Sequence, residues 1–284
     1  MTLYKRLYRA IEAGDRWVLN ALEPRAFPAR GLKLPPIFIV ALPKTGSVYI
    51  QRALRSTLQI QRGEIRLGGI VDITFDWNSL VRFSRGNALT RVHLPPRSHL
   101  LYALRQAGVA KIVLHLRDPR SQIISWTRHV DRSIAQRGLA SGMLDCQQVL
   151  PSDYASWSFE SRLKWQVDNQ LEGFVKWTEN WLDLSQLQQG PETLVTSYED
   201  FSRSPADYVR KVCSFYNIPL GQGWLRLPAM AIGSNNIFHK EAKSPVEIMG
   251  PDLYEQASAA IPATLAQRFG WLTSASVKLD MQAP

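Results

Sequence analysis

Cysteine is scarce in this chain: the 284 residues include only Cys146 and Cys213. The two lie far apart and in no metal-ligand spacing. A disulfide-dense secreted module and a thiolate metal site are therefore excluded, and two reduced thiols are expected. Long apolar runs are missing as well; none reaches the roughly 18 residues that a membrane span requires. No secretory leader is read at the N-terminus, because Glu12, Asp15 and Arg16 interrupt any apolar core. Internal repeats, low-complexity tracts and acidic metal-binding clusters are absent. Acidic residues are the minority charge, 24 against 34 Lys and Arg, for a net charge of +10. That balance calls for an anionic partner: a nucleic acid, a membrane surface or a highly charged small molecule. The basic residues are spread along the chain and no nucleic-acid-binding motif occurs, so nucleic acid is not the expected partner. These absences leave a cytoplasmic enzyme as the default reading.

Hydrophobic patterning gives an α/β chain. Continuous apolar runs at Ile37–Leu42, Lys111–Leu116 and Glu192–Tyr198 read as parallel strands covered on both faces. Helical periodicity separates them, over roughly 47–58, 97–107, 118–138 and 158–184, and continues near 205–217 and 251–270. This alternation predicts a single domain with a central, mostly parallel sheet flanked by helices. Residues 2–22 read as a basic amphipathic helix, packed on the domain or, as the alternative, lying on an anionic membrane, and the proline-rich stretch to Pro36 reads as a connector. Residues 1–30 thus precede a core over 37–220, and 221–284 form C-terminal loops and helices. The stretches 138–157 and 219–250 read as irregular loops over a site.

The run IFIVAL stops at Pro43 and is followed by Lys44, Thr45, Gly46 and Ser47 before the next helix. A strand-to-helix turn presents free backbone N–H groups and the positive end of a helix dipole. Gly46 permits close backbone approach, Thr45 and Ser47 add hydroxyl donors, and Lys44 adds a mobile charge, which together make an anion cradle. It is not a Walker A loop, whose lysine follows its glycine. After KIVLHL comes RDPRSQIISW. Arg117 is expected at the C-terminal end of a parallel strand, and Ser125 lies about two helical turns further on. An arginine and a serine so placed can converge on one phosphate, which the planar guanidinium binds in pairs of hydrogen bonds.

PKTGSVY (Pro43–Tyr49) and RDPRSQIISW (Arg117–Trp126) resemble the 5′-phosphosulfate loop and the 3′-phosphate motif of the sulfotransferases that use 3′-phosphoadenosine 5′-phosphosulfate (PAPS). RVHLP (Arg91–Pro95) resembles the KTHLP segment of the cytosolic members, and SYED (Ser197–Asp200) resembles their YED segment. The resemblance covers roughly 37–220. It implies in-line transfer of a sulfuryl group to an oxygen or nitrogen of a small acceptor, without a bound metal. His93 would be the general base and Lys44 would stabilise the leaving oxygens. Lys44, Thr45, Gly46, Ser47, Val48, Tyr49, Arg117, Ser125 and Tyr198 would hold the nucleotide, with Tyr198 against the adenine. Lys240 or Lys243, in FHKEAKSP, would serve the 3′-phosphate.

Departures from the family pattern are specific. Val48 stands where a second hydroxyl usually meets the 5′-phosphate. Tyr49 replaces a tryptophan yet retains a ring that can stack on adenine, and Arg91 replaces a lysine near the transferred group. Phe75, Trp77 and Phe83 lie where family members build the acceptor pocket, and His129 follows the 3′-phosphate motif on the same helix; with Arg91 they are the expected acceptor-lining residues. His115, inside a strand, is expected in the core. Two other readings remain: a polymer or peptide acceptor, and a non-enzymatic nucleotide- or nucleic-acid-binding protein. The acceptor and the oligomeric state are left open.

Overall fold

The computed structural model describes residues 33–68, 72–187, 190–221, 225 and 243–271. The amphipathic helix read over 2–22 and Lys240 lie outside the described residues. Seven strands are present among them: β1 (Ile37–Ala41), β2 (Gln61–Arg62), β3 (Leu67–Gly68), β4 (Thr74–Phe75), β5 (Ala88–Val92), β6 (Lys111–Leu116) and β7 (Glu192–Ser197). Five of them form one sheet in the order β2-β5-β1-β6-β7, with every pair parallel. The other two, β3 and β4, make a separate antiparallel pair.

Helix α1 (Ser47–Leu58) follows β1, and α2 (Trp77–Ser84) and α3 (Ser98–Gln106) flank β5. Helix α4 (Pro119–Arg137) follows β6, and α5 (Leu139–Cys146) turns back from it. The long α6 (Phe159–Leu184) leads into β7, and α7 (Tyr198–Arg203) and α8 (Pro205–Phe215) leave it. Three short helices close the described chain: α9 (Pro245–Met249), α10 (Pro251–Ala259) and α11 (Ala263–Phe269).

Alternation along the central strands explains the layering. Phe38 and Val40 of β1, with Ile112, Leu114 and Leu116 of β6, enter the core shared with α2, α3, α6 and α11. Ile37 and Ile39 of β1, with Val113 of β6, enter the opposite core beneath α1 and α8. A strand covered on both faces has no polar side, which is why these segments read as unbroken apolar runs. A third cluster joins α4 to α6 and the short helices α9 and α10 through Trp126, Val130, Phe174 and Met249.

Three segments differ from the sequence reading. α5 occupies part of 138–157, and a turn of 3₁₀ helix spans Tyr154–Ser156. The helix read over 251–270 is two helices, because Pro262 forms the N-cap of α11 and cannot continue α10. Helix α2 went unread as an element, and of the strand β5 only its end, ahead of His93, was expected. β5 carries Thr90 and Arg91 among its five residues, so it lacks the apolar continuity of its neighbours.

Candidate active site

The C-terminal ends of β1, β5 and β6 lie side by side. Val40 pairs with Val92 and Ala41 with His115, so one residue further His93 flanks Ala41, and Arg117 follows β6 beside the turn after β1. The edge at the carboxyl ends of the strands is where open parallel sheets bind ligands. The phosphate-type turn, Pro43–Gly46, stands between these two flanks.

The turn is braced through its carbonyls. Gln122 Nε2 donates to the Pro43 carbonyl at 2.9 Å, Arg117 Nη1 to the Lys44 carbonyl at 2.8 Å, and His115 Nε2 lies 2.9 Å from the Thr45 carbonyl. A trans peptide points its carbonyl and the next N–H in opposite directions. Tying three successive carbonyls toward β6 and α4 therefore aims the N–H groups of Lys44, Thr45 and Gly46 the other way. Lys44 (φ 67°) and Gly46 (φ 81°) both take left-handed backbone, the alternation that makes an anion-binding nest. Gly46 caps α1 with no side-chain acceptor, so the first-turn N–H groups have no competing carboxylate or hydroxyl at the cap. Thr45 is directed differently from the sequence expectation: its hydroxyl donates back to the Leu42 carbonyl at 3.0 Å, closing the turn rather than lining it. Ser47 is buried, and Val48 is half-buried.

His115 is fully buried within β6. Burial holds its pKa down to about 4, so the ring is neutral. Nε2 must carry the proton to donate to the Thr45 carbonyl, and the single lone pair of Nδ1 then accepts from one hydroxyl of the mutually bonded Thr196–Tyr208 pair, which lie 3.0 and 3.1 Å away. A relay from α8 through His115 thus supports the turn. The signal for it is a polar residue in the apolar interior of a strand, which must find partners when buried.

His93 has both ring nitrogens engaged. Nδ1 meets the Ala41 carbonyl, and Nε2 lies 2.9 Å from Arg91 Nη1. The ring keeps an exposed edge. Its pKa nonetheless lies near 4, because its crowded surroundings strip water and the Arg91 charge opposes a second cation. The segment behind it is clamped by α6, whose Trp177 and Trp181 indoles both donate to the Leu94 carbonyl, at 2.7 and 3.1 Å. The sequence carries no signal for this clamp, because a backbone carbonyl is an acceptor at every position.

Lys44 is half-buried, and its pKa falls to about 8, through burial first and then the charges of Arg132 and Arg117. Arg132 lies on α4 seven residues after Ser125, so the two share a helix face. His129 on the same helix has its pKa held near 4 by burial and by the Lys44 charge, with Asp145, 3.9 Å away, opposing. Arg117 also sets its guanidinium 4.2 Å from the centre of the Tyr198 ring, and its buried Nε has no hydrogen-bond partner.

Three aromatic residues are placed by packing. Tyr49 is only 5% exposed and lies 5.3 Å from the Phe201 ring, which leaves little face for a stacked base. Phe75 and Phe83 are buried against Phe38, at 6.2 and 5.9 Å. Trp77, by contrast, is half exposed. Asp72 pairs with Arg97 at 3.1 Å, and Asp76 caps α2. Lys243 is exposed, just before α9. Among the described residues no helix is long and apolar enough to cross a membrane, and no group of three His, Cys, Asp or Glu is arranged to hold a metal ion.

The chain resembles a sulfotransferase from Alicyclobacillus acidocaldarius at 18% identity, over 80% of this chain and 91% of the other, with a TM-score of 0.43. It also resembles a mouse sulfotransferase solved with PAP, at 15% identity over 71% of this chain and 63% of the other, with a TM-score of 0.46. A sulfotransferase domain from the curacin biosynthetic pathway aligns at 16% identity over 68% and 78%, with a TM-score of 0.40. No curated protein sequence matches significantly. The sulfotransferase domain model matches residues 34–231, a span that contains the turn, RVHLP, RDPRSQIISW and SYED. The chain belongs to the sulfotransferase domain family.

Proposed function

We propose that this enzyme moves a sulfuryl group from PAPS to a hydroxyl or nitrogen of a small acceptor in the cytoplasm. The observation that carries the reading is the braced turn, whose outward N–H groups, Lys44 and neighbouring arginines form a cationic nest at the strand ends. Lys44, Arg91, Arg117 and Arg132 have no carboxylate partner among the described residues. Uncompensated cations with orphaned, buried guanidinium atoms fit a ligand with several negative charges. When bound, PAPS supplies the activated sulfuryl group.

The residues take distinct roles in this reading. The turn N–H groups and Lys44 hold the 5′-phosphosulfate, and Arg117 and Ser125 hold the 3′-phosphate. Lys44 neutralises charge that develops on the leaving oxygens, an interaction strengthened in partly dehydrated surroundings. His93 accepts the acceptor's proton at Nε2, while its Nδ1–H, on the Ala41 carbonyl, keeps the ring oriented. Trp77 and His129 line the acceptor side. Tyr198 serves the adenine side through its contact with Arg117.

Incubating the full chain with PAPS and a panel of phenols, alcohols, amines and carbamoyl compounds, and following PAP release, tests the reading. At least one acceptor should support turnover. His93→Ala should lose about 10²–10⁴-fold of that rate while still binding PAP. Failure of the chain to bind PAP, or full activity of His93→Ala on an alcohol, contradicts it.

A further inference from the structure

Arg91 and His93 stand two residues apart where β5 ends, and their contact has a chemical consequence. A guanidinium has only donors, so His93 Nε2, 2.9 Å from Arg91 Nη1, must be the acceptor and carries no proton. The ring proton is therefore on Nδ1, facing the Ala41 carbonyl. The lone pair that a general base needs is the one the arginine covers. An acceptor hydroxyl cannot donate to it while Arg91 stays there. Proton uptake would also set an imidazolium against a guanidinium, two like charges in contact.

Arg91 has reason to be elsewhere. Its Nη1 also lies 3.5 Å from the Ser47 hydroxyl at the start of α1, so the same group reaches the anion cradle. Its Nε is buried without a partner, and it has no carboxylate partner among the described residues. A cation held only by a neutral imidazole and a hydroxyl is poorly compensated. An oxyanion placed at the Ser47 end of the nest offers it a charge-assisted, two-pronged contact instead.

We infer that Arg91 is a donor-responsive positioning residue: without nucleotide it covers the His93 lone pair, and the anionic end of PAPS draws it onto the cradle and frees the base. Arginine suits the move, since the Nη1 that covers the imidazole already reaches the Ser47 hydroxyl, and its planar fork can turn to a two-pronged contact with an oxyanion. The consequence is a binding order: the acceptor's proton has nowhere to go until the donor is in place. On release, Nε2 takes that proton as the acceptor's oxygen or nitrogen bonds to sulfur and the sulfur's bond to the bridging oxygen breaks. The electrons of the broken bond leave with PAP. This inference rests on the proposed roles of His93 and the turn.

Imidazole ¹⁵N NMR of the full chain at neutral pH tests it, with His93 assigned from the spectrum of His93→Gln. The Nε2 resonance reports whether the lone pair accepts a hydrogen bond. Free wild type should show an unprotonated Nε2 shifted by the arginine contact. Saturating PAPS, with no acceptor present, should move that resonance to the position seen in free Arg91→Met. In Arg91→Met, PAPS should move it much less. Arg91→Lys, which keeps the charge but shortens the reach, should give a free-state spectrum close to that of Arg91→Met. An Nε2 resonance that PAPS leaves unmoved in wild type, or moves equally in Arg91→Met, overturns the inference. Calorimetry on the same samples separates two failures. PAP binding with an unmoved resonance overturns the role of Arg91 alone, and absence of PAP binding overturns the donor reading with it.

Discussion

Arg117 holds Lys44 by its backbone: the Nη1 group donates to the Lys44 carbonyl at 2.8 Å, across 73 residues of sequence. The strand-end arginine read as a 3′-phosphate ligand is thus also a brace of the 5′ turn. In the proposed reading the two ends of the nucleotide site share one side chain.

Arg117→Ala should accordingly do more than remove a phosphate contact. Affinity for PAP should fall about ten- to a hundredfold, the worth of a charge-assisted hydrogen bond of roughly 1.5–3 kcal/mol. Affinity for adenosine 5′-phosphate, which lacks the 3′ group, should fall too, because the turn loosens. Ser125→Ala, by contrast, should weaken PAP alone. Calorimetry with both nucleotides distinguishes the two; an Arg117→Ala protein with unchanged adenosine 5′-phosphate affinity would deny the bracing role.

The proposed role of Lys44 makes the reaction depend on pH. Its pKa of about 8 lies below the ordinary 10.5, and only the charged form would neutralise the leaving oxygens. Turnover should therefore decline as pH rises through about 8. Arg132→Ala removes the largest of the charges that lower this pKa, so the alkaline limb should move upward. A pH profile of kcat/KM for wild type and variant decides it, and a limb that stays in place in Arg132→Ala contradicts the assignment.

His115 makes stability depend on acid. The folded chain keeps the ring neutral down to about pH 4, whereas the unfolded chain protonates it at the ordinary 6.5. The unfolded state binds more protons across that window, so stability is full above about 6.5 and is lost as pH falls toward 4. A shift of that size amounts to about 3 kcal/mol. Thermal unfolding between these pH values should be markedly less steep in pH for His115→Gln than for wild type. His115→Phe should also lower PAP affinity, because the Thr45 carbonyl and the Thr196 and Tyr208 hydroxyls lose their partner, and His115→Gln, which keeps an N–H donor, should restore part of it. Equal PAP affinity in all three proteins would leave His115 a core residue only.

Much of this was legible in the sequence because the physics there is local. β1, β6 and β7 announce themselves as apolar runs bounded by turn residues, and α1, α4 and α6 begin and end within a residue or two of their periodic patterns. The residues of the four motifs, from Lys44 to Tyr198, are those that the resemblance to the sulfotransferases implies. The rest depends on partners distant in the chain. Nothing in the order of residues says that Gln122, Arg117 and His115 each take one carbonyl of the turn. Backbone acceptors have no sequence signature, and for the same reason the hold of Trp177 and Trp181 on the Leu94 carbonyl was invisible. Tyr49 reads as an open ring from its motif, but α7 brings Phe201 across it. Thr45 reads as a cradle hydroxyl, yet the turn leaves its nearest acceptor behind it, at Leu42.

Titration calorimetry of PAP against adenosine 5′-phosphate on the wild-type chain bears on the nucleotide site itself, because the two differ only in the 3′-phosphate that Arg117 and Ser125 are proposed to hold. PAP should bind about ten- to a hundredfold more tightly. Equal affinity, or no binding of either, would contradict it.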